Sequence, residues 1–438
     1  MPEPHTDRWA IVGGGMLGLT LAWRLARAGR RVTVFEGEAT TGGLAAGWHI
    51  GDLTWDKHYH VTLLSDSSLL GLLEELELKD QMQWQSTRTG VFADGTLHSV
   101  SNAWQFLSFP ALGFVDKLRI ARTIRLAARI EDWRSLENIT AVDWLTRYSG
   151  DRATQRFWLP LLRSKLGDRA NDVSAAFIWA TMRRLYAARR AGLAREMFGY
   201  HPGGYARIFT VFAYKLRALG VTIHRGNPVR SVRSDGAGRI CVDASTSEVF
   251  DRVALTVPSA VVADICPDLT EAERAAHRGL EYQGIICASL VLNRPLAGFY
   301  VTNLTDEGFP FTGIIEMTAL VDPKQLGGRH LVYLPRYAQP TDTAWTWTDS
   351  ELQDRFLAGL RRVYKDLDDD QVQAFAVSRV RRVFALPTLG FSERLPAQQT
   401  SVPGLFVVNS AQIVNGTLNV NETVHLANLA AAGWIGKS

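Results

Sequence analysis

One stretch near the N-terminus constrains this chain more than any other. The apolar run Trp9-Ala10-Ile11-Val12 reads as a buried strand and passes directly into Gly13-Gly14-Gly15-Met16-Leu17-Gly18. Gly13, Gly15 and Gly18 occupy the G-x-G-x-x-G spacing, with Met16 and Leu17 between the last two. Leu19 to Ala28 is rich in alanine and leucine and predicts a helix that Gly29 ends. Arg31-Val32-Thr33-Val34-Phe35 predicts a second strand, and Glu36 stands at its end, 18 residues after Gly18. Each part has a mechanical reason. The first glycine permits the tight turn, the second lets the backbone approach a pyrophosphate, and the third lets the helix pack on the strand. The helix N-terminus offers free N–H groups and partial positive charge to phosphates. Glu36 is placed to accept hydrogen bonds from a ribose. Strand, turn, helix, strand and acid in this order predict a dinucleotide site.

Composition sets the boundaries. The chain has 438 residues, enough for about three lobes at roughly 150 residues each. Its hydrophobic fraction of 46% and charged fraction of 21% exclude a disordered or low-complexity chain. The three cysteines, Cys241, Cys266 and Cys287, form no Cys-x-x-Cys pair, so neither a disulfide scaffold nor a cysteine zinc site is expected. A reducing compartment, the cytoplasm, is the natural expectation. No run of roughly 18 apolar residues is available for a spanning helix, and no signal peptide is visible at the N-terminus. Net charge is 48 − 44 = +4, but residues 114–196 hold 17 Lys/Arg against 9 Asp/Glu. One lobe therefore carries the basic character.

Just after Glu36, Gly42-Gly43-Leu44-Ala45 places a glycine pair. This resembles the second flavin fingerprint of the FAD-dependent amine oxidase, protoporphyrinogen oxidase and phytoene desaturase superfamily. The resemblance implies that Gly42, Gly43 and Leu44 pass close to the pyrophosphate and the flavin. Many members carry Arg where this chain has Leu44. The far end resembles the same superfamily. Pro403-Gly404-Leu405-Phe406-Val407-Val408-Asn409-Ser410 is similar to the strand that closes the FAD domain, with Asn409-Ser410 in place of Gly-Asp. Asn409 would then supply a neutral hydrogen bond to the ribityl chain. Asn419-Val420-Asn421-Glu422 leads into a helix over Thr423 to Trp434, whose N-terminus the resemblance aims at the flavin pyrimidine. Asn421 and Glu422 become cofactor candidates on that ground. Mid-chain, His201-Pro202-Gly203-Gly204-Tyr205 precedes a helix over Ala206 to Leu219, and strand-like runs follow. There the resemblance puts Val229 on the adenine side.

The implied fold class is α/β, α+β overall: a Rossmann-like FAD-binding domain, a sheet-containing substrate domain and a helical insert. Residues 1–65, 200–265 and 396–438 are assigned to the FAD domain. Residues 66–110 and 266–395 go to the substrate domain, and 111–199 to a basic helical lobe. In that lobe Phe114, Leu118, Ala121, Ile124 and Ala128 repeat at helical spacing, the pattern of a core stripe, among Lys117, Arg119, Arg122, Arg125 and Arg129. A second basic helix carries Arg183, Arg184, Arg189, Arg190 and Arg195. The charge suits either a solvated face or peripheral contact with anionic lipid or a phosphorylated substrate. No recognition module for nucleic acid accompanies it. Strands are expected over Ile285 to Leu292, Gly313 to Met317 and His330 to Leu334, followed by a helix over Asp349 to Tyr364.

Five side chains are candidates for chemistry. His58 and His60, two residues apart, would point the same way on a strand and reach flavin or substrate. A third metal ligand is not identifiable, so no metal is expected. Lys165 lies among apolar residues in Leu161-Leu162-Arg163-Ser164-Lys165-Leu166; in a dry site it would act as a base or hold a water near the flavin. Glu316 and Tyr333 fall on the sheet expected to face the substrate, with Arg336 and Tyr337 in a similar setting. The reading favoured is an FAD-dependent oxidoreductase that takes a hydride from a C–H or C–N centre of a small organic substrate. The histidine-rich segment is also similar to that of UDP-galactopyranose mutases, which keeps a non-redox flavin mechanism as the alternative. A flavin-binding protein without turnover is a third reading. There is no Gly-x-Ser-x-Gly elbow and no His-Glu-x-x-His for a hydrolase.

Overall fold

The computed structural model describes residues 7–190, 197–414 and 418–436. Five short strands form one all-parallel sheet in the order Thr222–His224, Arg31–Phe35, Arg8–Val12, Arg252–Leu255 and Leu405–Val407. Such a sheet must be covered on both faces, and its buried positions are accordingly mostly apolar. On one face the helices Met16–Arg27, Gly204–Ala218 and Val420–Ile435 pack over Trp9, Ile11 and Val34. On the other, a three-stranded antiparallel sheet built from 231–250 packs over Ala10, Val12 and Phe35. The helix Ser67–Glu75 joins the first of these cores through Leu69, Leu72 and Leu73.

A seven-stranded mixed sheet forms the second layer system. Its central strands are Tyr282–Leu292, His330–Ala338 and Gly313–Glu316, with Val372–Ala385 at one edge and Thr96–Ser99 at the other. The helix Asp349–Val363 covers one face with Leu352, Phe356 and Leu360. The opposite face carries Ile285, Cys287, Tyr333 and Tyr337 and looks toward the parallel sheet's lobe. Strand alternation therefore separates what this sheet shows to its own helix from what it shows to the site.

The third part is helical, with a core around Trp133, Trp144, Trp158 and Trp179. Here one expectation is corrected. The stripe of Phe114 and Leu118 on helix Phe114–Ala127 does not face the core; both residues are exposed. The helix instead buries Asp116, Lys117, Ile120, Thr123 and Ala127. Ammonium and hydroxyl groups on this inner face are satisfied locally: Lys117 Nζ donates to the Leu107 carbonyl at 2.6 Å, and the Thr123 and Ser149 hydroxyls lie 2.8 Å apart. A helix spans Ala175–Arg190 as the second basic segment. Arg195 and the side chains of Arg189 and Arg190 lie outside the described residues.

Candidate active site

The carboxyl ends of the parallel strands carry Gly13, Glu36 and Thr256, the position at which open α/β sheets bind ligands. The turn after the first strand is built for close approach. Gly13 has φ +112°, and a Cβ on Gly18 would sit 1.9 Å from the Gly13 carbonyl oxygen. Thr256 Oγ1 donates to that carbonyl at 3.1 Å. The helix Met16–Arg27 begins at Gly15 with no side-chain cap and no acid in its first turn, so its leading N–H groups are left for an anion. Glu36 is buried; its carboxylate accepts from Gly14 N at 2.7 Å and Glu38 N at 2.9 Å. A carboxylate has about four acceptor positions, so two remain for a ribose. An open groove of about 620 Å³ lined by Ala39, His224, Arg225 and Asn227 adjoins this strand end. Val229 packs into the neighbouring core.

The Gly42–Gly43 loop lies against this turn. Gly42 N donates to the Gly14 carbonyl at 2.9 Å, and Phe209 would collide with any Cβ on Gly42. Leu44 follows, and its carbonyl accepts from His58 Nδ1 at 2.9 Å. The second helix N-terminus, at Val420, is capped by Asn419, whose side chain accepts from Glu422 N at 3.0 Å. Asn421 is already engaged: Oδ1 accepts from Leu69 N, and Nδ2 donates to Glu422 Oε1. Asn409 points inward, with Nδ2 donating to the Val257 carbonyl and the Ser259 hydroxyl and Oδ1 accepting from Ala411 N. It shapes the loop that borders the site. Glycine turns, uncapped helix start and acid together fit an FAD molecule laid across the strand ends.

Beyond the Gly42–Gly43 loop, Tyr59, His60 and Tyr337 are half-buried and Lys165 is exposed, although burial shifts the pKa of all four. Their accessible surface borders a hollow. His60 lies 5.2 Å from the Tyr205 ring, which neighbours Phe209, the ring packed against Gly42. The Tyr59 and Tyr337 hydroxyls are 3.0 Å apart. Tyr337 also lines a groove of about 540 Å³, together with Ser164, Asp168, Phe311 and Arg336. Confinement lowers the Lys165 ammonium to about 8, with the Arg184 charge as the lesser cause. Arg184 itself is paired with buried Asp66 at 2.9 Å.

The histidines do not sit on a strand as expected: the strand ends at Asp56, and 57–61 is irregular. Their rings consequently part. His58 is buried between Leu44 and Ser378, with Nε2 3.1 Å from the Ser378 hydroxyl, and burial pushes it down to about 4. His60 Nδ1 donates to the His58 carbonyl at 2.9 Å, and burial takes it to about 4 as well. Both rings are therefore neutral near pH 7. Glu316 is corrected too. It shares a face with Ile314 and Val332, away from the hollow, and its oxygens accept from Leu296 N and Gly298 N. Tyr333 is on the correct face but fully buried, and its hydroxyl donates to the Asp56 carbonyl at 2.5 Å.

Sequence reasoning missed Asp56 as a joint. Its carboxylate is buried and accepts from Tyr205 N at 2.7 Å, at the start of the helix Gly204–Ala218. Burial raises it to about 7 against those N–H bonds. Tyr337, expected in the same setting as Tyr333, shares its face by alternation two steps along, whereas Arg336 turns away to pair with Asp342.

A glycine turn that fits a dinucleotide, a second glycine loop and a hollow roofed by a mixed sheet are the features of a two-lobed flavoprotein. Residues 17–432 match the model of the flavin containing amine oxidoreductase family, and the chain belongs to that family. FAD is its cofactor. The coproporphyrinogen III oxidase of Mycobacterium tuberculosis (strain ATCC 25618 / H37Rv) is 27% identical over 296 residues, 62% of this chain and 63% of that protein. The chain thus spans under two thirds of the length of this relative. Two solved structures share the fold: putrescine oxidase bound to putrescine, at TM-score 0.75 and 21% identity over 98% of this chain and 99% of that one, and reduced UDP-galactopyranose mutase, at TM-score 0.75 and 15% identity over 99% and 96%.

Proposed function

We propose that this chain is an FAD-dependent oxidoreductase that removes a hydride from a C–H or C–N centre of an unsaturated organic substrate, neutral or anionic, held in the hollow. The observation that carries this is Lys165. A hollow bordered by a lysine, with Arg184 nearby, repels an ammonium substrate and favours a neutral or negative one. The carboxylates close by are engaged, Asp66 with Arg184 and Asp56 with the helix Gly204–Ala218. FAD supplies the two-electron acceptor chemistry that side chains lack and is reoxidised by oxygen or another acceptor.

The chain's own residues bind, orient and move protons. Tyr59 and Tyr337 supply hydroxyls and ring faces to an apolar substrate, and the 540 Å³ groove that Tyr337 lines serves as its way in. Lys165, neutral above about 8, takes the proton that leaves as the hydride departs. His58, Glu316 and Tyr333 act on position, through the Leu44 loop, the 296–298 loop and the end of strand Leu53–Asp56. His60 lines the hollow as a neutral ring.

The test is anaerobic mixing of the holoprotein with porphyrinogens, polyenes, amines and sugar nucleotides. Bleaching of the visible flavin absorption by a porphyrinogen or polyene is the expected result. Bleaching by amines alone would overturn the substrate class. Turnover of a sugar nucleotide only after chemical reduction would replace this reading with the mutase alternative. No response to any of them would leave a binding protein.

A further inference from the structure

The charges around the hollow do not cancel. Lys165 stands on the helix Leu159–Leu166, and no hydrogen bond or ion pair among the described residues engages its ammonium. Arg184, on the helix Ala175–Arg190, is the charge that acts on it. The pairing of Arg184 with Asp66 uses only part of the guanidinium. Nη2 donates to both carboxylate oxygens, at 3.1 and 2.9 Å, and Nε to one of them at 3.4 Å. Nη1, with two N–H groups, is left without an acceptor among the described residues. Asp66 is spent: its side chain is 3% exposed, and Oδ2 also accepts from Leu63 N at 2.8 Å. One acid therefore stands against two cations, with a positive charge left over while Lys165 is protonated.

Arg184 also acts on the Tyr205 hydroxyl, and the Tyr205 ring lies 5.2 Å from His60. Lys165 and His60 both border the hollow, so the guanidinium sits at its floor between them. The Tyr205 hydroxyl is a third donor. It is buried and reaches no acceptor among the described residues, and Thr62 stands beside it without completing a bond. The other acid in reach of it, Asp56, is held by the N–H groups of Tyr205 and Ala206. Leaving such donors and a surplus charge without a partner is costly in a partly desolvated place. Fixing the Leu63–Asp66 turn to the helix accounts for Nε and Nη2 of Arg184. It accounts for neither Nη1 nor Lys165 nor the Tyr205 hydroxyl.

We infer that Arg184, Lys165 and Tyr205 form an anion subsite at the floor of the hollow, and that it holds a carboxylate of the substrate. The rest of that molecule lies against Tyr59 and Tyr337. A single surplus charge matches a carboxylate, whereas a phosphate dianion would leave negative charge unmatched. Arg184 keeps its charge at any working pH, so the anchor persists when Lys165 is neutral. The neutral or anionic substrate proposed above thereby narrows to an unsaturated carboxylic acid, a step that rests on that reading of the hollow.

The experiment is calorimetric titration of the FAD-loaded chain with cinnamate and with cinnamamide, which share a shape and differ in charge. Cinnamate should bind at least about tenfold more tightly. Lys165→Gln should weaken cinnamate by about threefold or more and leave cinnamamide unchanged. Asp66→Asn/Arg184→Gln, which leaves no unpaired acid behind, should abolish the preference, and Arg184→Lys should retain part of it. A merely structural ion pair would lower stability in these variants without changing the ratio of acid to amide. Equal affinity of the wild type for the two ligands would overturn the inference, as would no binding of cinnamate. So would a preference that survives intact in Lys165→Gln and in the double variant. If the double variant does not fold, an unchanged ratio in both Lys165→Gln and Arg184→Lys overturns it. If acetate competes as strongly as cinnamate, the subsite takes a free small anion and the assignment to substrate falls. No turnover is involved, so the ratio of acid to amide stands or falls separately from flavin bleaching, which tests the redox reading.

Discussion

The two ends of the site are made of different material. At the glycine-turn end the surface offered is main chain: glycines that let backbone come close, an uncapped helix start, and one acid tied to the turn. At the hollow the surface is side chain: Tyr59, His60, Lys165 and Tyr337, projected from three separate elements. Backbone geometry is set by local sequence and tolerates no added atom. Side-chain surfaces are set by which strands meet and tolerate exchange at the cost of chemistry. The first kind of site preserves a cofactor while the second can vary the substrate.

That contrast can be broken at the glycine end. Gly18→Val puts a side chain where even a Cβ lies 1.9 Å from the Gly13 oxygen. The turn must open, and the expected product is a folded but colourless protein, read from the ratio of flavin to protein absorbance. Retained flavin would show that backbone approach is not the controlling feature. A smaller, purely chemical loss is expected at the other end. Lys165→Met should keep the flavin and slow substrate-driven bleaching by roughly 10²–10⁴-fold. Because the lysine is lowered to about 8, its neutral form dominates above that pH. The wild-type rate should therefore rise through about pH 8, and the variant's should not. The smallest effect is at the joint between the two ends. Asp56→Ala removes the acceptor for Tyr205 N and should cost about 1–2 kcal/mol. An acid whose folded pKa is raised takes up its proton first in the native state, so stability falls as pH climbs from 3.8 to about 7. Thermal melts across that window should show the slope in the wild type and its loss in the variant.

The same contrast explains what the sequence disclosed. The strand-turn-helix-strand unit from Arg8 to Phe35 depends on neighbours within thirty residues, so its glycines, helix and acid can be read directly. The strands at 282–292, 313–316 and 330–338 were legible from apolar runs. Which of their faces meets the hollow was not. Glu316 and Tyr333 differ by one step of alternation relative to partners that only tertiary pairing defines. Periodicity located a stripe at Phe114 and Leu118 but could not say that the opposite face, with Ile120 and Ala127, is the one the core covers. Asn409 resembled a cofactor ligand by position, while its three hydrogen bonds to Val257, Ser259 and Ala411 depend on loops brought together from about 150 residues away and from its own turn.

One bond at the meeting of the two ends has directional consequences. The Leu44 carbonyl can only accept, so the neutral ring of His58 must carry its hydrogen on Nδ1. Nε2 is then an acceptor, and the Ser378 hydroxyl must aim its hydrogen at it. The tautomer, the serine rotor and the peptide orientation of Leu44 become one setting, with no ionised group involved. An edge strand of the roof thereby dictates how the Gly42–Leu44 loop is turned, and a change of residue at Ser378 would reach that loop without touching it.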